Sequence, residues 1–123
     1  MQSIVIAGRE IELLLTVDAL EEIDQRFGSY EQMVERMQDR HTYARTMCGA
    51  IAIMGNGALK YRGKEPELTE AWVCRHTTPG EVAELDKAVA AAFREGWRME
   101  AEGEERPQDV VLEELEAQKK TGA

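Results

Sequence analysis

The sequence predicts a mostly helical α+β fold, with an N-terminal two-stranded β-hairpin followed by about five helices and a flexible acidic C-terminal tail. Two β-rich runs, at residues 3–6 and 11–15, flank Gly8, which can adopt the positive φ of a tight turn. From Thr16 to residue 99, apolar residues recur at helical spacing. With 123 residues, of which 43% are hydrophobic and 32% charged, the chain has the size of one globular domain.

The first two predicted helices have recognisable ends. Thr16 is the expected N-cap of the first helix and Gly28 its C-terminal stop, while Ser29 and Gln32 form a capping-box pair that starts a short second helix. The apolar stripe of the first helix comprises Val17, Leu20, Ile23 and Phe27, and that of the second comprises Tyr30, Met33, Val34 and Met37. Each helix is therefore expected to pack one narrow face against the core.

The third predicted helix is the most apolar of the chain. We expect Thr42 to cap it and the triplet Gly55-Asn56-Gly57 to end it. Its inward face comprises Tyr43, Met47, Ala50, Ile51 and Met54. Beyond the triplet, residues 59–67 predict an exposed basic connection that carries Lys60, Arg62 and Lys64.

Two further helices complete the predicted domain. Thr69 starts a short helix around Trp72 and Val73, and Thr78-Pro79-Gly80-Glu81 predicts a capping box with proline at the first helical position. The long helix after this box has an apolar stripe that comprises Val82, Leu85, Val89, Ala92, Phe93 and Trp97. One domain is therefore expected over residues 1–99, with the hairpin at residues 3–15.

Residues 100–123 differ in composition from the rest of the chain. They contain eight acidic and three basic residues, a net charge of −5 within the −9 of the whole chain. Residues 100–107 have too few apolar side chains to form a core, which predicts an acidic linker. Val110, Val111, Leu112 and Leu115 then offer one apolar side of a C-terminal helix that is marginal when alone.

Charge and cysteine content limit the classes of partner and compartment. A net charge of −9 repels phosphate backbones and anionic lipid headgroups, so neither nucleic acid nor a membrane is an expected partner. The N-terminus lacks the basic and long apolar regions of a secretory signal, which favours the cytoplasm. Cys48 and Cys74 are then expected to be free thiols that pack as small apolar residues, the alternative being a disulfide or a ligand pair.

Candidate nucleotide and metal sites fail on spacing. The stretch from Gly57 to Gly63-Lys64-Glu65 resembles a phosphate-binding loop, but its glycines are wrongly spaced and Glu65 replaces the hydroxyl that reaches magnesium. Cys74 and His76 would point about 200° apart on a helix, which disfavours a shared metal. We therefore expect no cofactor and no metal; the other soft-ligand candidates are His41 and Cys48.

Catalysis is not expected either. The neighbouring glutamates, such as Glu21 with Glu22 and Glu31 with Glu35, fall on polar helix faces rather than in apolar pockets. An enzyme that used Cys48 or His76 would need both side chains in one polar cleft.

Partner binding is the expected role of the exposed aromatic and tail residues. Aromatic side chains beside a tail are of the kind that fill a partner's pocket, although packing in the core is the alternative. An edge of the hairpin can also accept an added strand. The candidate partner-binding residues are Trp72, Phe93, Trp97, Val111, Leu112 and Leu115.

Two patterns in the N-terminal third carry a family resemblance. Residues 6–13 have the form Ile-x-Gly-x-x-Ile-x-Leu, and residues 16–28 have the form Thr-x-x-Ala-Leu-x-x-Ile-x-x-x-x-Gly. Together with the order of the predicted helices over residues 3–99, they resemble the tail assembly chaperones of long-tailed, siphovirus-type bacteriophages and prophages. The resemblance is one of element order, and the basic residues 60–64 and the two tryptophans depart from the commonest members.

The resemblance implies a non-enzymatic protein of the bacterial host cytoplasm. Such chaperones bind the tape measure protein and recruit tail tube subunits, and many occur with a longer product made by ribosomal frameshifting. Met33, Met37, Met47 and Met54 would supply adaptable client contacts wherever they are exposed. The alternative function is an acidic regulatory adaptor or inhibitor that neutralises a basic protein partner. Self-association into a homo-oligomer stays open under both.

Overall fold

The fold is mostly helical, with an N-terminal two-stranded antiparallel hairpin, as the sequence predicts. The structure is a computed structural model and describes residues 1–98. The predicted linker and C-terminal helix at residues 100–123 therefore lie outside the described residues. In chain order the elements are β1 (Gln2–Ile6), β2 (Arg9–Leu13), α1 (Val17–Phe27), α2 (Tyr30–Gln38), α3 (Tyr43–Tyr61), α4 (Glu70–Arg75) and α5 (Pro79–Trp97).

The hairpin turn is tighter than predicted. Ala7 and Gly8 have φ values of 52° and 76°, and Ile6 pairs with Arg9 across a two-residue loop. β2 therefore begins at Arg9, two residues before the predicted start, and it ends at Leu13. Successive side chains of a strand point to opposite faces, so one face of the hairpin packs against the core. The buried residues of this face are Ile4, Ile6, Ile11 and Leu13.

The predicted ends of α1 and the predicted start of α2 after Ser29 are confirmed, but of the predicted capping box only the Ser29 half forms, because the Gln32 side chain makes no hydrogen bond with the Ser29 N–H. The Thr16 hydroxyl accepts a hydrogen bond from the Ala19 N–H at 3.1 Å, and Gly28 has a φ of 96°. The Ser29 hydroxyl accepts from the Gln32 N–H at 3.0 Å. These caps satisfy N–H groups that a helix leaves without a partner in its first turn.

The apolar face of α1 differs from the prediction at its first residue. Val17 is 74% exposed, whereas Ala19, Ile23 and Phe27 are buried. The three buried residues are spaced four apart and so share one face of the helix. Val17 is six residues before Ile23, which is about 120° away from that face.

The predicted end of the third helix is wrong, because α3 runs through Gly55-Asn56-Gly57 to Tyr61. A Cβ on Gly57 would lie 2.6 Å from the Leu14 carbonyl oxygen, and one on Gly55 would overlap the Leu68 side chain. These glycines therefore allow close packing of the helix instead of ending it. The chain leaves the helix at Arg62 and turns at Gly63, whose φ is 75°.

Thr42 precedes α3 as expected but does not cap it with its side chain. The Thr42 hydroxyl donates a hydrogen bond to the Arg36 carbonyl oxygen at 2.7 Å, at the end of α2. It therefore links the two helices across their short connection.

α3 is the central element of the fold. It contacts β2 and each of the other helices, while α5 covers β1. Its apolar composition matches this central position, because a helix that is buried on several sides must be apolar around most of its circumference. The α3 residues in the core include Met47, Cys48, Ala50, Ile51 and Met54.

The four methionines expected as adaptable contacts, Met33, Met37, Met47 and Met54, do not form an exposed surface. Met33, Met47 and Met54 are fully buried, and Met37 is partly buried against the core. They fill gaps between helices, which an unbranched flexible side chain does well. These four side chains therefore serve the packing of the core.

The capping box at the start of α5 is confirmed. The Thr78 hydroxyl accepts from the Glu81 N–H at 3.2 Å, and the Glu81 carboxylate accepts from the Thr78 N–H at 3.1 Å. Pro79 is the first helical residue, where its missing N–H has no partner to lose.

Thr78→Ala is expected to lower the free energy of unfolding by about 1 kcal/mol, because the Glu81 N–H loses its acceptor. Thr78→Ser keeps the hydroxyl and is the matched control. Urea unfolding followed by circular dichroism measures both variants. Equal stability of the alanine and serine variants would show that the cap does not contribute.

Candidate partner-binding surface

Trp72 is part of a stacked group on one side of the molecule. Its ring stacks on the imidazole of His76 with centroids 4.6 Å apart and planes at 27°, and the Arg9 guanidinium lies 5.7 Å from the indole centroid. Arg9 also forms an ion pair with Glu67. We call Trp72, His76, Arg9 and Glu67 the Trp72 surface. The indole is partly buried, so it is held in one orientation while part of its area is open.

Local structure explains why Trp72 and His76 stack. They are four residues apart, with Trp72 inside the short helix α4 and His76 at its C-cap, so they share a face. The Thr69 hydroxyl accepts from the Trp72 N–H at 3.0 Å, and His76 Nδ1 lies 2.8 Å from the Trp72 carbonyl oxygen. The helix caps therefore also fix the position of the aromatic pair.

Asn56 places the segment that leads into α4. Its Oδ1 accepts hydrogen bonds from the Glu67 and Leu68 N–H groups at 3.1 and 2.9 Å, and its Nδ2 donates to the Leu68 carbonyl oxygen at 2.8 Å. Leu68 is buried as a result. Sequence reasoning missed this role; the available signal was a polar side chain with low helix propensity within an apolar, glycine-containing helix.

Glu70 holds the first turn of α4 against two other helices. Its carboxylate accepts hydrogen bonds from Arg26 of α1 at 3.0 and 3.2 Å and from Arg45 of α3 at 3.3 Å. A Cβ on Gly49 would lie 2.6 Å from the same carboxylate, so the carboxylate packs directly on the α3 backbone. These contacts, with those of Asn56, keep the Trp72 surface at a fixed place.

Trp97 belongs to a second, separate aromatic group. It is 38% exposed, and its ring packs edge to face on Tyr30 with centroids 5.6 Å apart. The Phe93 ring also packs edge to face on the Tyr30 ring, with centroids 5.5 Å apart, but Phe93 is only 6% exposed. Phe93 is therefore a core residue and not an accessible contact for a partner. We call Trp97 and Tyr30 the Trp97 surface.

The two surfaces lie at different ends of the hairpin. Arg9 of the Trp72 surface follows the hairpin turn, whereas the end of α5 contacts the open end, where the Glu95 carboxylate accepts a hydrogen bond from Gln2 at 2.6 Å. The structure thus does not bring Trp72 and Trp97 together. The predicted contact residues Val111, Leu112 and Leu115 lie outside the described residues.

Lys60 and Arg62, at the C-terminal end of α3, are paired with acidic side chains. Lys60 Nζ lies 2.9 Å from the Glu22 carboxylate, and Arg62 binds the Glu12 carboxylate through two nitrogens at 2.5 and 2.7 Å. The hydrogen bond from Arg62 lowers the pKa of Glu12, and Glu22 raises the pKa of Lys60. Gly57 is inside a helix, so the stretch does not form a loop whose amides face a phosphate.

Cys48 and His76 do not share a polar cleft. Cys48 is 2% exposed within α3, and burial is the main cause that raises the pKa of its thiol to about 11. His76 is on the surface against Trp72. A buried thiol with a raised pKa is a poor nucleophile at neutral pH.

Residues 1–98 contain no group of three or more His, Cys, Asp or Glu side chains placed to hold a metal ion. None of the helices in this range has the length and apolar character needed to cross a bilayer. Comparisons of the chain with models of protein families, with curated proteins and with solved structures found no match.

Proposed function

We propose that this chain is a tail assembly chaperone of a long-tailed bacteriophage or prophage, acting without catalysis in the bacterial host cytoplasm. Its clients are the tape measure protein, which it binds, and the tail tube subunits, which it recruits. The proposal rests on the resemblance in the order of hairpin and helices and on the surfaces that this fold presents.

The observation that carries the proposal is the Trp72 surface. Arg9 and His76 hold the indole in one orientation at 5.7 and 4.6 Å, so a partner that covers it loses little side-chain freedom. Tryptophan and arginine are enriched among the residues that dominate binding energy in protein interfaces. An apolar helix of a long client is a chemically suitable partner for such a surface.

The separation of the two aromatic surfaces also supports a protein with two clients. Trp72 contacts Arg9 beside the hairpin turn, while Trp97 follows Glu95 at the open end of the hairpin. Since the two surfaces share no residue, one client need not displace the other. We assign the Trp72 surface to the tape measure protein and the Trp97 surface to the tail tube subunit.

Co-expression with the tape measure and tail tube proteins of the same genome tests the proposal. Affinity capture and size-exclusion chromatography at low and high salt are expected to recover a complex that survives high salt, because apolar contacts are little affected by screening. The alternative, an acidic adaptor that neutralises a basic partner, is supported by the net charge of −9. It predicts a complex whose affinity falls steeply with salt.

Trp72→Ala is expected to weaken binding of the tape measure protein about tenfold, because a preoriented aromatic anchor is removed. Tyr61→Ala is the matched control, since Tyr61 is an aromatic side chain that is 69% exposed at the end of α3. Titration calorimetry measures the affinities, and thermal melts show that each variant folds. Unchanged affinity of a folded Trp72→Ala variant would contradict the assignment of this surface.

A further inference from the structure

The two cysteines meet where α3 packs on α4. Cys48 Sγ lies 3.7 Å from the hydroxyl of Thr77, which follows α4. Cys74 is three residues earlier, on α4 itself, and packs against the same core. Residues three apart share one side of a helical turn, so Cys74 lies on the side of α4 from which Thr77 contacts Cys48. Burial raises the pKa of Cys48, and the nearby Cys74 thiol adds to that effect. The sequence alone leaves these residues 26 positions apart with no motif to join them.

Hydrogen bonds hold α4 in the orientation that brings the thiols together. The Thr77 hydroxyl donates to the Val73 carbonyl oxygen at 2.7 Å, which leaves its oxygen to accept from the Cys48 S–H. At the other end of the helix, Arg26 and Arg45 bind Glu70. Cys48 and Cys74 are therefore neighbours across a fixed helix pair.

We propose that Cys48 and Cys74 form a reversible disulfide, which ties α4 to α3 when the chain meets a small-molecule disulfide such as oxidised glutathione. The proposal rests on the packing of α3 and α4 and is independent of the proposed function. In a reducing compartment the pair stays as two thiols. Oxidation would lock the short helix that carries Trp72.

The two cysteines have different roles in this reaction because their exposure differs. Cys74 is partly exposed and its thiolate attacks one sulfur of oxidised glutathione, which forms a mixed disulfide and releases one glutathione thiolate. The thiolate of buried Cys48 then attacks the Cys74 sulfur and releases the second glutathione. The chain loses two thiol hydrogens, and one glutathione disulfide is reduced to two thiols.

The second step is expected to depend on pH. In the reduced chain, burial is the main cause that raises the pKa of the Cys48 thiol to about 11, and Cys74 and Glu70 of α4 are the ionisable groups that add to it. Cys74 no longer ionises once it is in the mixed disulfide, but burial still disfavours the Cys48 thiolate. Since only the thiolate attacks, the rate of this step should rise about tenfold per pH unit while Cys48 is mostly protonated.

Mass spectrometry of the full chain tests the proposal. The reduced chain is treated with oxidised glutathione, blocked with N-ethylmaleimide and weighed intact. The expected product is about 2 Da lighter than the reduced chain, carries no maleimide and yields one proteolytic fragment that joins Cys48 to Cys74. Dithiothreitol should restore two reactive thiols. A wild-type chain that keeps glutathione on Cys74, or links to a second chain through it, would overturn the proposal.

Single substitutions separate the two steps. Cys48→Ala is expected to accumulate the glutathione adduct on Cys74, because the resolving thiol is missing. Cys74→Ser is expected to leave buried Cys48 unmodified for as long as the chain is folded. If either variant fails to fold, urea unfolding of the wild-type chain replaces this comparison. The oxidised chain is expected to unfold at a higher urea concentration than the reduced chain. An equal or lower unfolding midpoint would count against a disulfide between α3 and α4.

Discussion

Gly57→Ala is expected to lower the free energy of unfolding by about 2 kcal/mol, although alanine favours helix formation over glycine by about 1 kcal/mol. The new Cβ would lie 2.6 Å from the carbonyl oxygen of Leu14. That oxygen belongs to the backbone between β2 and α1, so the contact can be relieved only if the helix or this segment moves. Packing therefore outweighs helix propensity at this position.

Gly80→Ala is the matched control for this prediction. Gly80 is also helical, near the start of α5, and the nearest atom to a Cβ there is the Thr78 hydroxyl at 4.0 Å. The variant is expected to be as stable as wild type or up to about 1 kcal/mol more stable. Urea unfolding measures both variants, and a Gly57→Ala chain that gains stability would disprove the close approach of α3 to Leu14.

Asn56→Ala is expected to lower the free energy of unfolding by about 2–3 kcal/mol. The Asn56 side chain makes hydrogen bonds with the backbone of Glu67 and Leu68 at 2.8 to 3.1 Å. Leu68 is 5% exposed, so water cannot readily replace these partners. Helix propensity alone predicts the opposite sign, since alanine is the better helix former.

Two further variants make the Asn56 prediction specific. Gln25→Ala changes an exposed polar residue of α1 and is expected to stay within about 0.5 kcal/mol of wild type. Asn56→Asp keeps the two acceptor bonds but loses the donor to the Leu68 carbonyl oxygen, so an intermediate loss is expected. An Asn56→Ala variant as stable as the Gln25→Ala variant would contradict the role of Asn56 in placing the chain before α4.

Helix starts were predictable because their determinants are local. The hydroxyls of Thr16, Ser29, Thr69 and Thr78 each accept a hydrogen bond from a backbone N–H three residues later. Such a cap depends on a few neighbouring residues and not on the rest of the fold. The sequence pattern and the structure therefore agree at these positions.

The triplet Gly55-Asn56-Gly57 could not be interpreted from its own composition. Its contacts are with Leu14, which is far from it in the sequence, and with Leu68, which lies beyond the irregular segment that follows α3. A glycine that ends a helix and one that lets a helix pack closely look alike until the neighbour is known. The error in the predicted end of α3 has this origin.

The candidate surface was predictable in part. Trp72 and Trp97 were identified from residue type, but their ring partners Arg9 and Tyr30 come from other elements and carry no local signal. Periodicity placed Phe93 and Trp97 on the same stripe of α5, yet Phe93 is buried and Trp97 is 38% exposed. Which residue of a stripe is covered depends on the length of the element that packs against it.

The contact between β1 and α5 has a consequence for folding during synthesis. The first strand of the chain is covered by its last described helix, and Glu95 binds both Gln2 and the N-terminal amine. A nascent chain that has exposed the hairpin and α1 still lacks the helix that shields β1. β1 can therefore reach its native packing only after α5 has left the ribosome, so the first strand is covered late in synthesis and not when the hairpin forms.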